Sequence, residues 1–290
     1  MRREQRSLRS VALFYFLAFS LSWLIEIPQA AAARGLIHLE LPGVLVFLSP
    51  LAPALAAIAV SATEGGTAEV RRLLGQLLRW RVSPKWYGAV LAGFPLLGLV
   101  AVGLGSVGVS RAPDFSAGYV YHVLPQFPSN LSPWLLFPPF LLYSIVTTAP
   151  EEVGWRGFAL PRLQERLGAF YASLGVGFLW GLWHLPLFFY PQAVQSGISF
   201  PLFLAGTLST SILFTWIFKS TGRSLLMVSV LHSSFNVTDV FLPLLPQVTG
   251  SQRQLWLYLA VITVVAVIVT VSGRLRAEPE LGVGGPPHQH

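Results

Sequence analysis

Charged positions almost vanish from the chain over eight apolar runs, at roughly 10–33, 41–62, 87–109, 134–150, 170–187, 199–218, 223–244 and 254–273. Several reach the roughly 20 residues that a helix needs to cross a bilayer core of about 30 Å. The fourth and fifth are short. This pattern predicts an all-α fold, a polytopic membrane bundle of about eight transmembrane helices joined by short loops. No soluble domain or clear repeat intervenes, so residues 1–273 form one domain with its polar motifs in a core at 134–244. The Gly/Pro-rich stretch 274–290 is expected to be a disordered tail. Between the second and third runs, Val70 to Trp86 is amphipathic and basic. Leu73, Leu74, Leu77 and Leu78 share one face, with Arg71, Arg72, Arg79 and Arg81 around them, as in an interfacial helix lying on anionic headgroups.

Composition agrees. Of 290 residues, 53% are hydrophobic and 11% charged, against about 25% charged in soluble domains. The absence of cysteine excludes disulfides and thiolate metal ligands. A net charge of +7 raises the question of nucleic acid, but the basic residues sit at the ends of apolar runs, which reads as topology. With the N-terminus inside, 16 of the 19 Lys and Arg fall on inner segments, and only Arg34, Arg111 and Arg253 fall outside. The expectation is a multi-pass cell-membrane protein with both termini cytoplasmic, in contact with the lipid bilayer and without a nucleic-acid partner. Arg-rich residues 2–9 followed by Ala30 to Ala33 imitate a secretory signal. The long apolar stretch and Glu26 within it argue for retention as a span. Nothing in the pattern sets an oligomeric state.

Ionisable residues at membrane depth are costly and therefore functional candidates. Three clusters qualify. In Glu151-Glu152-Val153-Gly154-Trp155-Arg156, Glu152 and Arg156 are helical i,i+4 neighbours, while Glu151 is rotated about 100° away. One carboxylate can thus be held by the arginine while the other stays free as a general base. The alternative is two solvated glutamates at a helix end. In Trp180-Gly181-Leu182-Trp183-His184, His184 has apolar sequence neighbours and shares a face with Trp180, which fits either a catalyst with an aromatic wall or ordinary packing. In His232-Ser233-Ser234-Phe235-Asn236, His232 and Asn236 share a face and offer two donors to one point, for an oxyanion or as polar glue between helices. Such groups need one another inside a bilayer. If they converge, they contain a base, an orienting imidazole and an oxyanion site, the parts for hydrolysis.

These motifs resemble the CAAX prenyl endopeptidase and bacteriocin-processing (Abi, CPBP) intramembrane protease family. The family shows a double glutamate with an arginine four residues after the second, then an aromatic four before a histidine, then a histidine four before an asparagine. Here these are Glu151, Glu152 and Arg156; Trp180 and His184; His232 and Asn236. The following Pro161-Arg162-Leu163 is similar to the bacterial branch. Trp180 departs from the usual phenylalanine, which keeps a wall but changes its shape. The resemblance implies an endopeptidase cutting a protein or peptide near its C-terminus or beside the membrane, prenylated in the eukaryotic branch. It implies that Glu151 and His184 activate a water, that His232 and Asn236 hold the oxyanion, and that Glu152 and Arg156 support them. It also implies a metallopeptidase or a glutamate-dependent one. Glu151, His184 and His232 can supply the two nitrogens and one carboxylate of a catalytic zinc site, and the same groups can work without a metal. A non-proteolytic scaffold, regulator or transporter is the alternative; the inverted repeat common in transporters is not evident.

The heights of these groups strain the span map. For Glu151 to reach both histidines, the fourth helix must run past it to about residue 159, ending or kinking at Pro161. Glu151, His184, His232 and Asn236 should then line a cavity open to the cytoplasmic side, with nearest polar atoms roughly 3–6 Å apart.

Overall fold

A computed structural model describes residues 2–39, 43–108, 112–115, 119–123 and 131–275. Within them the chain is helical, with no strand. The long helices are α1 (Arg2–Ala33), α2 (Ala52–Leu74), α3 (Pro84–Ser106), α4 (Phe137–Glu152), α5 (Leu160–Trp183), α6 (Phe200–Ser220), α7 (Leu225–Phe241) and α8 (Arg253–Val271). Most of the expected tail, 276–290, and the loop residue Arg111 lie outside the described residues.

Six helical segments are long and apolar enough to cross a membrane: Leu8–Ala33, Pro84–Ser106, Pro133–Phe189, Phe200–Ser220, Leu225–Thr249 and Arg253–Val271. Two of the expected spans, 134–150 and 170–187, lie within the single 57-residue segment Pro133–Phe189. The expected span 41–62 is not among the six. It divides between a 3₁₀ stretch, Gly43–Leu51, and the first half of α2. Glu64, Glu69, Arg71 and Arg72 then make the rest of α2 too polar to lie in lipid.

The bundle is inside-out by the standard of water-soluble proteins. Leu24, Leu142, Val146, Val264 and Val267 are more than half exposed, while Glu151, Glu152, Arg156, His184 and His232 are buried. Lipid supplies an apolar solvent for the outer residues, and the polar groups have no satisfied place except against one another. α5 packs on α6, α7 lies against α3 and α4, and α1 lies along α2. Phe14, Trp155, Phe158, Trp180, Phe214 and Tyr258 belong to the core that joins these helices.

The helical path beyond Glu151 does continue, as the height argument requires, but it does not end at Pro161. After Glu152 the helix widens into a π-helical turn, Val153–Ala159, and passes directly into α5. Pro161 falls just after the π turn, in the first turn of α5, and does not interrupt the helical path. The chain turns instead at Gly168, whose backbone is left-handed at φ 69°. The amphipathic stretch 70–86 is not one interfacial helix. It comprises the end of α2, a 3₁₀ turn Gly75–Leu78, extended residues 79–83 and the start of α3.

Candidate functional site

The site is built where α4 runs into the π turn. Widening a helix by one residue per turn shifts the side chains that follow, and such bulges recur at functional sites. Here the turn buries every residue from Val153 to Ala159. It presses so closely on the start of α2 that a Cβ on Gly154 would lie 2.8 Å from the Pro53 carbonyl oxygen, which only glycine avoids. The two glutamates are thereby fixed on different partners. Glu152 is wholly buried and accepts from Arg156 at 3.0 Å and from His232 Nδ1 at 2.8 Å, both on Oε1. Glu151 accepts from the Trp180 indole N–H at 3.0 Å.

Trp180 is the hub of the arrangement. Its ring lies 5.6 Å from the His184 ring and 5.2 Å from that of His232, both edge-on. The Arg156 guanidinium sits 5.1 Å over Trp180 and 4.7 Å over Phe214. A cation buried under two π faces recovers part of its lost hydration, about 2 kcal/mol for a desolvated contact. The expected aromatic wall is therefore also a hydrogen-bond donor to the candidate base, which a phenylalanine at this position cannot be.

The two histidines have their Nδ1 atoms engaged. His184 ends α5, with Nδ1 2.8 Å from the Trp180 carbonyl oxygen, which accepts a proton from it. His232 turns Nδ1 toward Glu152. Assigned from these partners, Nδ1 carries a proton in both rings and each Nε2 is left for chemistry. His184 feels the charge of His232, and Glu151 feels those of His232, Glu152 and Arg156. Asn236 stands one turn beyond His232 on α7, half-buried. The three sequence motifs thus meet at one point. Glu151 and His184 are only 8% and 9% exposed, and the largest cavity described is lined by other residues.

Sequence reasoning missed the contribution of α1. Glu26 is 5% exposed, accepts a hydrogen bond from the Ser49 hydroxyl and lies close enough to Glu151 to feel its charge. Trp183, next to His184, donates to Ser22 at 2.8 Å, and Trp23 donates to the Trp183 carbonyl at 2.9 Å. The signal was available, since Glu26 is a carboxylate inside an apolar run. It weighed only against a cleavable leader.

Among the described residues, no group of three His, Cys, Asp or Glu side chains is placed to hold a metal ion. Glu151, His184 and His232, the ligand set considered for zinc, do not form such a group.

Residues 133–238 match the family model described as type II CAAX prenyl endopeptidase Rce1-like. A curated relative, the CAAX prenyl protease 2 of Methanococcus maripaludis, is 31% identical over 126 residues, which are 40% of this chain and 45% of the relative. The match spans about half the length of that relative. The matched segment holds all three motifs, from the helix that delivers Glu151 to the turn that carries Asn236. Residues 133–238 are thus similar to the Rce1-like CAAX prenyl endopeptidases.

Proposed function

We propose that the protein is an intramembrane endopeptidase that hydrolyses a peptide bond near the C-terminus or membrane-proximal end of a protein or peptide substrate. The supporting observation is the division of labour between adjacent glutamates. Glu152 is committed to Arg156 and His232, whereas among the described residues Glu151 accepts only from the Trp180 N–H and lies close enough to His232 to feel its charge. Glu151, with His184 Nε2, takes a proton from a water as that water attacks the scissile carbonyl. The carbonyl oxygen gains the electron pair, and His232 and Asn236 donate to it. Nδ1 of His232 donates to Glu152, so donation from Nε2 requires a second proton on the ring. The proton taken by Glu151 then passes to the leaving amine. Arg156 and Glu152 position these groups without touching substrate.

The enzyme is proposed to sit in the cell membrane with both termini cytoplasmic. The test is cleavage of a fluorogenic peptide ending in a farnesylated CAAX sequence, compared with the same peptide unprenylated, by wild type and Glu151→Gln. Glutamine keeps the size and the bond from Trp180 but cannot accept the water's proton. Loss of cleavage with unchanged thermal stability supports the proposal. Equal turnover by both proteins overturns the base assignment. A wild type inert to both peptides that nonetheless captures membrane proteins, with Glu151→Gln capturing them equally, favours a non-proteolytic scaffold.

A further inference from the structure

Apart from this site, the chain contains a second polar construction. Between α2, the 3₁₀ turn that follows it, the start of α5 and the loop joining α6 to α7 lies a cavity of about 730 Å³. Its charged lining is Arg72, Arg79, Arg162, Arg166 and Arg223 against Glu64, Glu69 and Glu165, a net charge of +2. The acids are unequally shared. Arg162 pairs with Glu64 at 2.6 Å and stands 3.8 Å from Glu69, and Arg72 also pairs with Glu69. Among the described residues Arg79, Arg166 and Arg223 make no salt bridge, and the charge of Glu165 reaches Arg223 only at longer range.

Two of these cations are held in place by the backbone. The Ser224 hydroxyl donates to the Arg79 carbonyl, and the Arg79 guanidinium donates to the Gly222 carbonyl at 2.6 Å. These bonds clamp residues 79 and 222–224 together. Arg223 has a left-handed backbone at φ 65°, the one non-glycine with positive φ among the described residues, a conformation that costs a side-chain-bearing residue energy. Burial, and then Arg79 and Arg72, lower its proton affinity. Like charges gathered in a recess, one of them on a strained backbone, stabilise one another poorly unless an anion joins them. Guanidinium forks match the oxygens of phosphate. The basic stretch near residues 70–86, which the catalytic proposal leaves unused, supplies Arg72 and Arg79 to this recess.

We propose that this cavity is a binding site for a phosphate group, presented either by an anionic lipid at the inner membrane surface or by a free phosphate. It does not depend on the peptidase reading, because neither Glu151 nor either site histidine lines it.

The test uses the full chain without an activity readout. Retention of dioleoylphosphatidylglycerol and of dioleoylphosphatidylcholine is measured by native mass spectrometry, and thermal stability is followed with inorganic phosphate in phosphatidylcholine nanodiscs. The variants are Arg223→Gln, Arg166→Gln and the distant control Arg253→Gln. Wild type and the control should hold one phosphatidylglycerol in preference to phosphatidylcholine. Each cavity variant should weaken it about fivefold, as expected for removing one basic side chain near an anionic headgroup. Arg166→Gln, an exposed change on a separate helix, guards against a misfolded Arg223→Gln. Preference for the anionic lipid without a phosphate effect identifies a headgroup site. Stabilisation by phosphate that both cavity variants lose, without lipid preference, identifies a free-phosphate site. Equal behaviour of wild type and both cavity variants in every arm overturns the proposal.

Discussion

Replacing Trp180 by phenylalanine removes the N–H together with two buried ring carbons, and it tests the central claim about the site. The indole donates to Glu151 at 3.0 Å, in a place where Glu151 is 8% exposed. A hydrogen bond to a charged group contributes about 1.5–3 kcal/mol, and a buried acceptor left without its donor loses that in full. If all of it orients Glu151 in the transition state, kcat falls roughly 10- to 150-fold. If part is already spent in the ground state, some of the loss appears as stability instead. The Arg156 guanidinium, 5.1 Å over the same ring, keeps a weaker face in phenylalanine and its second face on Phe214. Some activity should therefore survive. The assay is kcat and KM on the prenylated peptide, together with denaturation of Trp180→Phe, Glu151→Gln and the double variant. The two single changes share one contact, so they should be non-additive by about 1 kcal/mol or more. A variant with kcat within twofold of wild type, and additive stability effects, would refute the idea that the tryptophan positions Glu151.

Three further outcomes follow from the same geometry. Arg156→Met should destabilise the protein by about 3–5 kcal/mol, because it strands the buried Glu152 charge, whereas Glu152→Gln combined with Arg156→Met should recover part of that loss; chemical denaturation of both checks it. Peptide cleavage should persist after exhaustive dialysis against a chelator, with metal content read by mass spectrometry, since the proposed water activation uses Glu151 and His184 themselves; inactivation reversed by zinc would contradict this. The chain has no cysteine, so a cysteine placed at position 79 should resist an impermeant maleimide added from outside, while one at position 111 should react; labelling at position 79 would invert the proposed orientation.

The helical membrane character of the chain was legible because lipid imposes a simple rule on sequence: long apolar runs with charges at their ends. What the runs did not reveal is where one helix stops. The passage from α4 through the π turn into α5 contains Pro150, Gly154, Gly157 and Pro161, and sequence rules assign the break to a proline. The fold assigns it to Gly168, whose positive φ a glycine adopts without strain. The expected span at 41–62 divides between the 3₁₀ stretch Gly43–Leu51 and the first half of α2, a change of helix type that counting apolar residues does not register. Local pairs fared better. Glu152 with Arg156 follows from i,i+4 spacing alone and is found at 3.0 Å. The bond between His232 and Glu152 spans 80 residues and had no local signature.

The matched segment begins at residue 133, yet the polar site does not end there. Glu26 on α1 places a second buried carboxylate within electrostatic reach of Glu151, with a hydrogen bond from Ser49 to hold it. Trp23 and Ser22, on the same helix, fix the Trp183 backbone and side chain immediately before His184. α1 therefore sets both the electrostatic surroundings of the candidate base and the rotation of the helix end that presents His184. A fragment limited to residues 133–238 would retain every motif residue and lose the contacts that aim two of them. The motif residues thus all lie within the matched segment, whereas their surroundings include a helix more than a hundred residues earlier in the chain.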